Sequence, residues 1–102
     1  MKLVFIYSLD DGRDNELHRI IQIAGATVFS ESPVSGVYTN AGDDYRWFGQ
    51  VGMQTESKMY MLAVTEEQAS DLVTLIDDYN EAHEKHPFHA YSISVDQMTQ
   101  VQ

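Results

Sequence analysis

Apolar side chains recur along this chain with a period of two in some segments and with three- and four-residue spacing in others. Residues 2–9, KLVFIYSL, are apolar at both alternating sets of positions, with Leu3, Phe5, Tyr7 and Leu9 on one face and Val4 and Ile6 on the other. A strand built this way is covered on both sides and belongs in the middle of a sheet. The turn DDGRDN follows. Asp14 or Asn15 is placed to cap a helix over about 15–24, with Leu17, Ile20, Ile21 and Ala24 on its apolar side and Gly25 where a left-handed residue ends it. The segment ATVFSES then alternates until Pro33, which suits an edge strand.

The second half repeats the scheme. KMYMLAV, residues 58–64, is again apolar on both faces and predicts a second central strand. Thr65 and Gln68 form a capping box that opens a helix carrying Ala69, Leu72, Val73, Ile76, Tyr79 and Ala82, running to about residue 84 before Pro87. FHAYSISV then alternates, with His89, Tyr91, Ile93 and Val95 on one side and Phe88 and Ala90 on the other, as an edge strand does.

The order β-α-β-β-α-β, with right-handed crossovers, places the first and third strands in the centre and both helices on one face. This predicts one domain over residues 1–102, a ferredoxin-like α+β sandwich with a four-stranded antiparallel sheet. The two strands that topology puts in the centre are the two with apolar residues on both faces, so pattern and topology agree. Two helices cover only one face of such a sheet. The other face carries apolar side chains from strands one and three, and a monomer rarely leaves several hundred Å² of such surface in water. A homo-oligomer is therefore expected.

Composition narrows the partners. Sixteen acidic against six basic residues give a net charge of −10, and no basic stripe offers itself to a polyanion, so neither nucleic acid nor an anionic membrane is an expected partner. No apolar run is long enough to cross a bilayer. Cysteine is absent, which removes thiolate chemistry and Cys-based zinc sites and, with no signal peptide legible, favours the cytoplasm.

One stretch fits neither rhythm. Residues 36–58, GVYTNAGDDYRWFGQVGMQTESK, hold four of the six glycines and the only tryptophan. The irregular part, about 36–57, reads as a long loop or hairpin arm between strands two and three, and loops of this size tend to be binding elements. Its aromatic residues, Tyr38, Tyr45, Trp47 and Phe48, call for a packing partner. Gly36, Tyr38, Arg46, Trp47 and Gly49 are candidate ligand contacts, with Lys58 and Lys85 able to add positive charge for a small anion. Packing of the aromatics against a neighbouring subunit is the equal alternative. GQVG is not a phosphate loop, since it does not join a strand to a helix.

With KLVFIYS at its start and the long loop after strand two, the chain resembles the PII-like superfamily of trimeric signalling proteins. HPFHAYSISV is similar to the His-Pro-aromatic start of the last strand in the CutA branch. The resemblance implies a trimer with sheets facing inward and clefts between subunits, bordered by the loop, where a small effector binds. The aromatic-bearing arm on a sheet that needs self-association adds the expectation that residues 36–57 touch a partner protein. The turn that supplies phosphate contacts in ATP-binding PII proteins is rich in glycine and lysine. Here it is HEKHPF, with no glycine and one lysine, so the phosphate contacts that this turn supplies do not carry over, and whether a nucleotide binds without them stays open.

His83, His86 and His89 offer imidazoles for a divalent transition metal. Pro87 disfavours a helical His86, and three histidines at a helix end also suit the dipole. Asp10, Asp11 and Asp14 lack calcium-loop spacing and read as a solvated turn. Asp77, Asp78 and Glu81 read as the wet face of the second helix. No nucleophile elbow, cysteine nucleophile or paired-carboxylate motif is legible. The expectation is a regulatory binding protein and not an enzyme, with a CutA-like metal protein as the alternative and a small dimeric oxygenase-like enzyme as the next.

Overall fold

The computed structural model describes residues 1–9, 12–37, 54–83 and 87–99, with backbone alone at 9, 36–37 and 54–56. Its elements follow the order β1 (Lys2–Leu9), α1 (Asp14–Ile23), β2 (Ser30–Val37), β3 (Gln54–Val64), α2 (Glu66–Glu81) and β4 (Phe88–Ser94). The strands form one four-stranded sheet in the order β2-β3-β1-β4, every neighbouring pair antiparallel. This is the ferredoxin-like α+β fold, with β1 and β3 central.

Pleat alternation decides which side chains meet the helices. Val4, Ile6 and Ser8 of β1, Tyr60, Leu62 and Val64 of β3, and Phe88 of β4 are buried on the helix side. They pack with Leu17, Ile20, Ile21 and Ala24 of α1 or its end and with Ala69, Leu72 and Ile76 of α2. Each helix contributes residues spaced three or four apart, so one stripe of each is buried and the rest stays wet.

Both helix ends that sequence singled out take the geometry their residues favour. Gly25 has φ +89, and the Gly25 and Ala26 amides bond to the Gln22 and Ile21 carbonyls at 3.0 and 3.2 Å. That pair of bonds is a Schellman motif. At the start of α2 the Gln68 amide donates to the Thr65 hydroxyl at 3.1 Å, and Gln68 Oε1 accepts from the Thr65 amide at 3.0 Å. Gln68 Nε2 then reaches across to the Gly25 carbonyl at 3.1 Å, tying the end of α1 to the beginning of α2.

Three expectations change. α1 begins at Asp14 after Arg13, with no side-chain cap, because the Asp14 carboxylate is drawn to β3 instead of to its own helix amides. β2 starts at Ser30 and continues through Pro33 to Val37. Proline is tolerated there because an edge strand has positions whose N–H faces away from the ladder. α2 ends at Glu81, not near 84.

Candidate functional site

The uncovered face of the sheet is organised in cross-strand rows. Phe5 lies opposite Met61 and Tyr91, Tyr7 opposite Met59 and His89, and Leu3 opposite Ala63 and Ile93. Tyr7 and Tyr91 meet edge to face, with centroids 6.3 Å apart. Met61, Tyr91 and Ile93 are 39, 43 and 48% exposed. No described element covers them, so the sheet presents a continuous apolar surface centred on Phe5.

The segment between β2 and β3 leaves from one corner of this sheet. Among the described residues β3 pairs with β1 as far as Ser57, whereas its pairing with β2 continues through Thr55–Gly36 to Gln54–Val37. Among the described residues a two-stranded ribbon thus runs on past the last rung between β1 and β3. Gly36 lies on that ribbon. Tyr38, Arg46, Trp47 and Gly49 fall outside the described residues, as does Lys85.

Lys58 sits one residue from the point where the ribbon leaves the sheet, and it is engaged. Its ammonium donates to Asp14 Oδ2 at 2.6 Å, while the Tyr60 hydroxyl donates to Oδ1 at 3.0 Å. The hydrogen bond from Lys58 is the main cause holding the Asp14 carboxyl below its ordinary range, with the Tyr60 bond adding to it against the opposing effect of burial. Burial, then the Asp14 carboxylate, pushes the Tyr60 phenol well above its ordinary value. Tyr60 thus stays a donor, and one acid pins β3 to the first turn of α1. Sequence reading left this triad unseen, because its members are 44 and 46 positions apart and Asp14 passes for a cap.

The two described histidines of the 83–89 series occupy different surroundings. His83 Nδ1 lies 2.7 Å from the Tyr79 carbonyl, and its ring stacks on Tyr79 with centroids 3.9 Å apart. Tyr79 in turn accepts from Arg13 at 2.9 Å, donates to Glu16 and packs on Phe88. His89 projects from the opposite side of β4, opposite Tyr7, because Phe88 before it points into the core. His86 falls outside the described residues. Among the described residues no three metal-ligating side chains gather into a group, and no helix is long and apolar enough to cross a membrane.

No family model matches the sequence, and no curated protein matches it. Solved structures do. A candidate PII-like signalling protein from Thermus thermophilus is similar at a TM-score of 0.60 and 23% identity, over 90% of this chain and 82% of that one. CPII from Thiomonas intermedia, in a structure bound to ADP and bicarbonate, gives 0.61 and 20% over 94% and 88%. The divalent cation tolerance protein CutA from Archaeoglobus fulgidus, described as periplasmic, gives 0.65 and 11% over 98% and 89%. At these identities the likeness is one of fold, the fold these PII-like and CutA proteins share.

Proposed function

We propose that the chain is a PII-like signalling protein of the cytoplasm. In this reading it assembles as a homotrimer, binds a small effector in the clefts between subunits, and presents residues 36–57 to a partner protein. The observation that carries it is the apolar row structure of the uncovered sheet face: water does not tolerate such a surface well, and copies closing over it create seams next to the β2–β3 ribbon. The effector contacts are assigned to Gly36, Tyr38, Arg46, Trp47, Gly49 and Lys85. Lys58 is the exception, because Asp14 already neutralises it. The likeness to CPII supports trying ADP and bicarbonate first among effectors.

The test combines mass with ligand response. Light scattering is expected to give three subunits, and a thermal-shift screen of nucleotides, bicarbonate and divalent metals is expected to raise Tm with at least one compound. Single chains at micromolar concentration would remove the clefts and this reading with them. A two-subunit mass would favour the oxygenase-like enzyme instead.

A second reading is favoured by one observation, the somewhat higher TM-score against CutA, over nearly the whole chain. In it His83, His86 and His89 take a divalent transition metal, supplied in part by neighbouring copies. Calorimetry with Zn, Cu, Ni and Co on wild type and His86→Ala decides it. Uptake lost in the variant supports the metal reading, and no uptake, or uptake indifferent to the substitution, ends it.

A further inference from the structure

Six basic residues are set against sixteen acids in this chain, and most of the described ones are engaged. Lys58 is matched by Asp14, Lys2 donates to the Ser94 hydroxyl, and Arg13 donates to the Tyr79 hydroxyl and lies 3.9 Å from Glu16. Arg19 differs. Exposed on α1, it makes no hydrogen bond or ion pair among the described residues. Glu16, three positions earlier on the helix, is the acid placed to pair with it. That carboxylate is held elsewhere: it accepts from the Tyr79 hydroxyl, and Arg13 meets its charge. Tyr79 is itself fixed, with His83 stacked on its ring at 3.9 Å and Phe88 packed at 4.9 Å. Arg19 is thereby left an unmatched cation in a strongly acidic chain.

Arg19 also lines an open groove of about 360 Å³ between α1 and α2, together with Asn15, Glu16, Ile20 and Tyr79. Of the charged groups that line this groove or bond to its lining, two are cations, Arg13 and Arg19, and one is an anion, Glu16. The balance is positive here although the whole chain carries −10. A guanidinium presents paired N–H donors that fit the two oxygens of a carboxylate. Beside it Ile20 and Tyr79 supply an apolar flank. Ile23, 65% exposed, continues the row of Arg19 one turn along the helix, about 5.4 Å away. A ligand with several negative charges would meet the repulsion of the chain's field many times over. An uncharged one would gain nothing from Arg19.

From this juxtaposition of an unmatched arginine and an apolar-flanked groove, we infer that the groove between α1 and α2 binds a small monocarboxylate with a short apolar or aromatic body, its carboxylate seated on Arg19. The site is built within a single chain, on the helix layer. It uses neither the open sheet face nor residues 36–57, so it stands or falls separately from the proposed function.

Benzoate, benzamide and acetate are the probes: the first carries carboxylate and ring, the second lacks the charge, and the third lacks the ring. Titrations of the full chain are followed by two-dimensional NMR, reading the Arg19 Nε–H resonance and the amides of 15–23 and 79. Benzoate is expected to bind saturably at these positions. It should exceed benzamide by about fivefold, the upper end of what an exposed ion pair contributes, and exceed acetate through the apolar area the ring buries. Arg19→Gln, at an exposed position, is expected to leave Tm unchanged and to bring benzoate down to the level of benzamide. Arg19→Lys keeps the charge without the fork and should restore part of the difference. Three results would each overturn the inference: benzamide or acetate binding as tightly as benzoate, undiminished benzoate binding by Arg19→Gln, or benzoate shifts that fail to saturate or centre away from α1 and Tyr79.

Discussion

Asp14 satisfies two donors on another element with one carboxylate. Because its pKa is lower in the folded chain than in the unfolded one, folding disfavours protonation there. The stability it contributes is complete above the unfolded carboxyl's pKa, about 3.9, and is lost as pH falls through the folded value. Asp14→Ala is expected to cost about 1–2 kcal/mol at neutral pH, since it removes one acceptor from each of the Tyr60 hydroxyl and the Lys58 ammonium. The lower end of that range applies if water solvates the exposed part of the pair. Urea titrations at pH 7 and pH 3 check this: the gap between wild type and variant should narrow in acid, and a gap that does not shrink would mean the carboxylate is not what matters. At this scale the sequence was least legible. It marked Asp14 as a helix cap and treated Lys58 as free charge. Both depend on which strand lies beside α1, and nothing local to residue 14 records that.

Helices and turns were read more faithfully, because their signals are local. The Thr65–Gln68 box and Gly25 each act through backbone groups within a few residues, so their chemistry is written where it operates. Thr65→Ala is expected to lower stability by about 1 kcal/mol. Gln68→Ala should cost more, as it also removes the bond to the Gly25 carbonyl; guanidinium unfolding of both variants ranks them. The ends of β2 and α2 were misplaced for the opposite reason. Proline in an edge strand and the arrest of α2 at Glu81 are settled by tertiary neighbours. Asn80 is one of these: its side chain donates to the Phe88 carbonyl at 2.7 Å and accepts from the Phe88 amide at 3.2 Å. It thereby latches the start of β4 onto α2. Asn80→Ala should speed hydrogen exchange at Phe88 and Ala90 selectively, and a uniform change along the sheet would count against the latch.

For the molecule as a whole, sheet order and the identity of the central strands were legible, since two strands apolar on both faces admit few arrangements. The candidate site was legible only in outline. The open face followed from counting helices against sheet faces, but the ligand contacts placed at Tyr38, Arg46, Trp47, Gly49, Lys85 and His86 fall outside the described residues. Met61→Glu or Ile93→Lys, each setting a charge into a cross-strand row, should shift sedimentation toward single chains while leaving the far-ultraviolet CD spectrum intact. Retention of the wild-type mass would show that assembly, if present, uses another surface. With a net charge of −10 per chain, association should also tighten as salt screens repulsion between copies.

The unequal lengths of β1 and β3 carry a mechanical corollary. Among the described residues the third strand has a neighbour on one side only beyond Ser57, so bending is expected to concentrate at that rung, as in a plank clamped short of its tip. Lys58 is the next residue inward, and through Asp14 it grips α1. A tug on the overhang is thereby handed to the helix layer within one residue, and relaxation-dispersion NMR should find Asp14, Lys58 and Tyr60 exchanging in concert.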